Sequence, residues 1–353
     1  MPAAAAAPIL LAAGAAGGVI FRLLDLPLPW TLGAMTAAGL VSLLKPQWKL
    51  PPVLRDGARP VIGVMAGSAF TPALVAGMLG WWPMILLLAA YFLAAGLAGQ
   101  VYFRKACGFD RTTALLASMP GGLGEMAVLG SQLGADTRRL VLVHSIRIIL
   151  VVSAVPFIVR AVQGIGSQPN MPAMAAPAAH GALDWLILIA CGGVGYLIGR
   201  RLRRFGGVML VPLLFSAVLH GTGLTSAAPP GWLVAGVQVV IGCLTGGRFA
   251  GVKAREAGAA VVQGAVWTLL LLSSAVLLAM LAAPWIGKPA VALFLALTPG
   301  GFAEMTTLAF VIGIEVAFVI TCHTFRTFYV LSAAPIIHQR MAHKTPPDRT
   351  GSE

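Results

Sequence analysis

The stretch Ser118 to Ala127, SMPGGLGEMA, returns 179 residues later as LTPGGFAEMT, Leu297 to Thr306. Around it the register holds without a gap from about residue 61 to residue 160. Ile62-Gly63, Gly67 and Phe70 fall on Ile241-Gly242, Gly246 and Phe249, and Gly134 falls on Gly313. Further along, His144 and Arg147 fall on His323 and Arg326, while Ser153-Ala154 and Pro156 fall on Ser332-Ala333 and Pro335. Rare polar residues repeat together with the glycines, so chance is a poor explanation and two halves descended from one unit is a good one.

Each half is strongly apolar. The chain is 58% hydrophobic and 10% charged, against roughly 25% charged residues in a soluble domain, which places it in a bilayer. Apolar runs such as Trp82 to Phe103, Leu183 to Ile198 and Val261 to Leu281 suit a hydrocarbon core about 30 Å thick. Together such runs leave no room for a separate soluble domain, so any chemistry sits within the membrane or in short loops. The expected organisation is membrane repeat 1 over residues 1–160, a linker over 161–181, membrane repeat 2 over 182–340 and a disordered cytoplasmic tail over 341–353. Met1 to Phe21 lacks a basic leader region and runs into Pro27-Leu28-Pro29, as a first membrane helix would.

Loop charge decides how the halves are oriented. Six crossings per half would make them parallel and spread Lys and Arg evenly over both faces. Five crossings, with each Pro-Gly-Gly segment entering and leaving on one face, place nearly all the basic residues on one side and leave Arg22, Arg160 and Lys288 on the other. The expected fold is therefore an all-α integral membrane protein of two inverted-topology repeats, with about ten transmembrane helices plus two Pro-Gly-Gly segments that are broken or re-entrant. Both termini, the Lys45 to Arg59 loop, Arg104-Lys105, the Arg200 to Arg204 run and Lys253 to Arg255 fall in the cytoplasm. On this reading the net charge of +13 reflects topology rather than a nucleic-acid partner, and the basic clusters are solvated loops.

The breaks are the candidate site. Pro120-Gly121-Gly122 and Pro299-Gly300-Gly301 each interrupt an apolar segment, leaving about ten residues on either side, roughly 15 Å of helix. Unwound backbone survives at membrane depth only where protein or a watery cavity satisfies it. A single break could be a packing kink. The same break in both halves, followed in each by an acid at Glu125 and Glu304, favours a solute site. Each glutamate stands in the first turn of the second half-helix, where it can cap amides or bind a coupling ion or the solute. His144 with Arg147, and His323 with Arg326, share one face of an apolar helix. Glu125 and Glu304 are their expected partners, in a buried ion-pair network or in an anion site; the histidines could also relay protons. Asp136 and Glu315, near segment ends, read as loop or cap residues. Gly63, Gly67, Gly242 and Gly246 read as small-xxx-small packing positions.

The duplicated SMPGGLGEMA and LTPGGFAEMT segments resemble the hallmark of the AbrB family of bacterial inner-membrane proteins, over both repeats. Members carry labels such as ammonia monooxygenase or transcriptional regulator, and the resemblance implies kinship with cation/proton antiporters and anion transporters. The labels can be weighed against the residues. The six histidines form no close ligand set, and Cys107, Cys191, Cys243 and Cys322 are far apart, so a monooxygenase metal centre has no sequence support. Nothing resembles a DNA-reading element. The expectation is thus a secondary transporter of a small solute, with Arg147 and Arg326 tilting the choice toward an organic anion although Glu125 and Glu304 would also serve a cation, and not an enzyme. It needs no cofactor; its partners are the solute, a coupling proton or cation and the lipid bilayer, with a homo-oligomer left open. The alternative is a membrane-embedded regulator of gene expression acting through a partner or metabolite.

Overall fold

A computed structural model describes residues 3–163, 181–249 and 254–342, with the backbone alone described at 3–5, 124–125, 163, 204–205, 249, 254–257 and 342. The expected linker core, 164–180, and the tail from 343 lie outside the described residues. Everything regular among the described residues is helical. The first half runs α1 (Ala3–Leu23), α2 (Ala34–Leu44), α3 (Pro52–Gly67), α4 (Pro72–Gly77), α5 (Trp82–Lys105), α6 (Arg111–Ser118), α7 (Leu123–Leu133) and α8 (Thr137–Gln163). The second runs α9 (Ala182–Gly199), α10 (Gly207–Gly221), α11 (Gly231–Gly246), α12 (Ala254–Ile286), α13 (Ala290–Leu297), α14 (Phe302–Ile312) and α15 (Val316–Ala342). The bounds of α6, α7 and α8 plus 179 are those of α13, α14 and α15.

Six helical stretches among the described residues are long and apolar enough to cross a membrane: 6–23, 72–105 and 137–162, and their counterparts 182–203, 258–286 and 316–341. Shorter apolar helices cover 29–44, 207–221, 231–246 and 302–312. The outward faces are greasy. Leu86, Leu93 and Leu97 on α5, Leu186 and Ile189 on α9, and Leu270 and Leu277 on α12 are all exposed, which water would penalise and lipid does not. This is a membrane protein.

The helices sort into two bundles. In one, α10 packs along α3 and α9, and α11 packs along α2, so helices of the two halves interleave. Glycines set those approaches. A Cβ on Gly63 or Gly67 would strike backbone of α10 at Met209 and Leu213, and one on Gly242 or Gly246 would strike Thr31 and Met35. The small-residue reading of all four positions therefore holds. The other bundle holds α5 to α8 and α12 to α15, with α12 lying along α8. Its core gathers Met84, Leu88, Val151, Val155, Ala275, Leu293, Leu297 and Phe318, each at most 1% exposed.

Short helices end where their sequences say they should. Asp110 caps α6 by accepting the Thr112 and Thr113 amides at 3.0 and 2.9 Å. Gly134 and Gly313 close α7 and α14 at φ of 76° and 72°, a left-handed conformation that a Cβ disfavours. Asp136 accepts the Arg139 amide at 3.1 Å, which makes it a cap of α8, one of its two expected roles. Two of the basic residues expected on the sparsely charged side have acidic partners: Arg160 pairs with Asp25 at 3.6 Å and Lys288 with Glu315 at 2.8 Å.

Candidate functional site at the paired helix breaks

At both breaks the chain leaves the helix in the same way. Met119 and Thr298 are extended, with ψ of 132° and 129°, and Gly122 and Gly301 are extended again, with ψ of 142° and 146°, before the next helix begins. Proline creates a specific debt here. The carbonyl of Leu116 would bond the amide four residues on, but that residue is Pro120, which has none; Leu295 faces Pro299 in the same way. His144 Nε2 lies 3.1 Å from the Leu116 oxygen and His323 Nε2 lies 3.0 Å from the Leu295 oxygen. Because a carbonyl only accepts, each histidine carries its proton on Nε2 and replaces the missing amide.

The arginines do the same for the unwound residues. Arg147 donates from Nη1 to Met119 O at 3.3 Å and from Nη2 to Gly121 O at 2.5 Å. Arg326 donates to Thr298 O at 2.9 Å and Gly300 O at 2.7 Å. All four side chains are at most 2% exposed. The guanidinium charge also suits the carbonyl ends of α6 and α13, where the helix dipole is negative. Among the described residues, the hydrogen bonds of His144, Arg147, His323 and Arg326 go to the broken backbone and not to Glu304, which corrects the partnership expected for that acid. A free carbonyl at membrane depth needs a donor more than a carboxylate needs a second cation.

Beyond the breaks, α7 and α14 begin at Gly122 and Gly301 with no side-chain cap. Both N-termini meet one cavity of about 170 Å³. Gly122 and Leu123 line it from one repeat and their counterparts Gly301 and Phe302 from the other, with Ile148 and its counterpart Thr327 beside them. Another wall is α11 and the turn after it, from Ile241, Leu244 and Thr245 to Arg248, and Arg55 and Arg59 of α3 line it too. Pro120, Gly121, Pro299 and Gly300 shape the break without lining this space.

Among the described side chains, Glu304 is the acid of this cavity. Its side chain is 9% exposed; Oε1 lies 3.6 Å from Arg248 Nη2 and accepts from Thr245 Oγ1 at 3.5 Å. Oε2 lies where a Cβ on Gly301 would be, so the carboxylate is folded back over the start of α14 and glycine alone leaves it room. The side chain of Glu125 lies outside those described.

Sequence reasoning missed Arg248, Thr245, Arg55 and Arg59. The last two belong to helix α3 rather than to a solvated loop, because Pro52 starts that helix early. A signal for Arg248 existed. Its counterpart is Ala69, and that of Thr245 is Ala66, so the repeat breaks its own symmetry at the cavity wall.

The bundles also meet asymmetrically. Phe302, Ala303 and Phe310, on or beside α14, pack on Ala58, Ile62 and Met65 of α3. The corresponding pair, α7 and α11, makes hardly any contact among the described residues. The cavity occupies that gap.

Comparison with known proteins agrees with the family resemblance. A family model described as "Transition state regulatory protein AbrB" matches residues 30–342. A Bacillus subtilis (strain 168) protein named "Uncharacterized protein YhjN" is 23% identical over 94% of this chain and 92% of its own length. An Escherichia coli (strain K12) protein named "Putative regulator AbrB" is 26% identical over 90% of this chain and 91% of its own length.

Proposed function

The chain therefore belongs to the AbrB family, and we propose that it is a secondary transporter of a small solute, with alternating access at the paired Pro-Gly-Gly breaks. One observation carries this reading. Two broken segments turn uncapped half-helix N-termini toward a single cavity between the bundles, the arrangement by which discontinuous membrane helices hold solutes. The dedicated His and Arg donors support it, since a mere kink would not need two buried side chains per break.

In this reading the two repeats are inverted, the membrane is the bacterial inner membrane, and both termini are cytoplasmic. Supporting the orientation, Arg203 bonds Asp56 beside Arg55, which brings two basic segments to the end where Arg55, Arg59 and Gly206 line the cavity. The cavity then faces the cytoplasm. The packing of α14 on α3 is the closed contact, and the other state exchanges it for the equivalent contact of α7 on α11. The protein catalyses no reaction on its solute. A regulatory reading is favoured only by the names of its family and its Escherichia coli relative, and a regulatory effect could follow from moving a metabolite.

Single cysteines test this, placed in a Cys107→Ser background because Cys107 is the one partly exposed native thiol among the four. Leu244→Cys, on the cavity wall, reacts with an impermeant maleimide from the cytoplasmic face. Its counterpart Met65→Cys, 1% exposed, reacts from the outer face in the other state. Reaction of both from one face, or unchanged solute counterflow in proteoliposomes after both are blocked, would sink the proposal.

A further inference from the structure

Resting on the transport-site reading, we propose that the cavity takes a short-chain monocarboxylate, bound through Arg248, and that Glu304 is the resident anion which this ligand displaces. Three observations converge. The first is an arginine with unused capacity. Arg248 Nη2 stands 3.6 Å from Glu304 Oε1, beyond the 2.7–3.2 Å of a formed N–H···O bond, and its Nη1 is buried with no hydrogen-bond partner. A guanidinium offers two parallel donors to one carboxylate; here one is loosely engaged and the other idle.

The second is the posture of Glu304. It is held at 3.6 Å by Arg248 and at 3.5 Å by Thr245, both long, and it leans on the uncapped N-terminus of α14. That seat has the shape and charge for a carboxylate. A ligand carboxylate can close on Arg248 in place of Glu304, which swings aside.

The third is size and lining. A cavity of about 150 Å³ holds benzene, so about 170 Å³ takes some six heavy atoms. Apart from the charged end, Leu123, Ile148, Met209, Ile241 and Phe302 line it, a surface for an alkyl tail. Arg147 and Arg326, engaged with backbone carbonyls, are not the anion ligands.

Butyrate has six heavy atoms and is the probe, with butyramide and butylamine as neutral and cationic isosteres. Binding to the purified full chain is read by calorimetry and by ligand-dependent thermal shift. Butyrate binds and the isosteres do not. Arg248→Gln weakens butyrate at least about tenfold, and Arg248→Lys restores part of the loss, as expected for a charge-assisted contact. Glu304→Gln, which removes the competitor, tightens butyrate by about tenfold. This gain cannot come from a misfolded variant. Butylamine binding, loss of butyrate binding in Glu304→Gln, or no binding of any probe overturns the proposal. Counterflow in proteoliposomes separates it from the transport reading. Butyrate binding without counterflow of any solute leaves the seat and removes the transporter, whereas counterflow of neutral or cationic solutes indifferent to Arg248→Gln removes the seat and leaves the transporter.

Discussion

The two breaks are the same in their skeleton and different in their charge. Around Pro120 and around Pro299 a histidine covers the carbonyl that proline strands and an arginine covers the next two, in matching geometry. Around the cavity the likeness stops: Thr245 and Arg248 face Glu304, while repeat 1 has Ala66 and Ala69 at those positions. The residues that repeat are those any broken membrane helix needs. Thr245 and Arg248, which face Glu304 across the ligand space, do not repeat.

The comparison can be broken most forcefully at the arginines. Replacing Arg147 or Arg326 by Gln strands two buried carbonyls, at about 1–3 kcal/mol for each. Because both clamps do the same work, the two variants should lose similar stability, read as thermal midpoints of the purified protein, and the loss should persist with ligand saturating. If Arg326→Gln were far more harmful than Arg147→Gln, the clamps would not be equivalent and Arg326 would have a second task.

A smaller effect sharpens the account of proline. His144→Leu leaves the Leu116 carbonyl without a donor and costs about 1–3 kcal/mol, as does His323→Leu for Leu295. Adding Pro120→Ala supplies an amide that can extend α6 by one residue and recover that carbonyl. The double variant should therefore lose less than the two single losses combined, by about 0.5–3 kcal/mol. Additive losses would mean that the histidine acts elsewhere.

These clamps also mark what a sequence reveals. The Pro-Gly-Gly pairs, the shared register, the four packing glycines and the positions of His144, Arg147, His323 and Arg326 were all legible, because each is a helix-breaking, small or polar residue repeated in a fixed place. Their partners were not, since the acceptors are main-chain oxygens and every residue has one. Arg248 and Arg59 escaped for a different reason. A cation at the end of an apolar helix looks topogenic, and only the fold tells a cavity wall from a loop. The length of α3 had the same effect, because Pro52 to Arg59 is polar enough to pass for a connection while its backbone is already helical.

The weakest test concerns asymmetry away from the cavity. Arg160 pairs with Asp25 and Lys288 with Glu315, yet their counterparts are Gln339 and Phe109, so these pairs too belong to one repeat each. Both members of the first pair are more than a third exposed, and such pairs contribute about 0–1 kcal/mol. Arg160→Met and Lys288→Met should leave the melting midpoint nearly unchanged and leave butyrate affinity untouched. If charge asymmetry mattered wherever it occurred, one of them would shift that affinity; if it matters only where it faces the cavity, neither will, and Arg248 stands apart from the other unrepeated cations by its position alone.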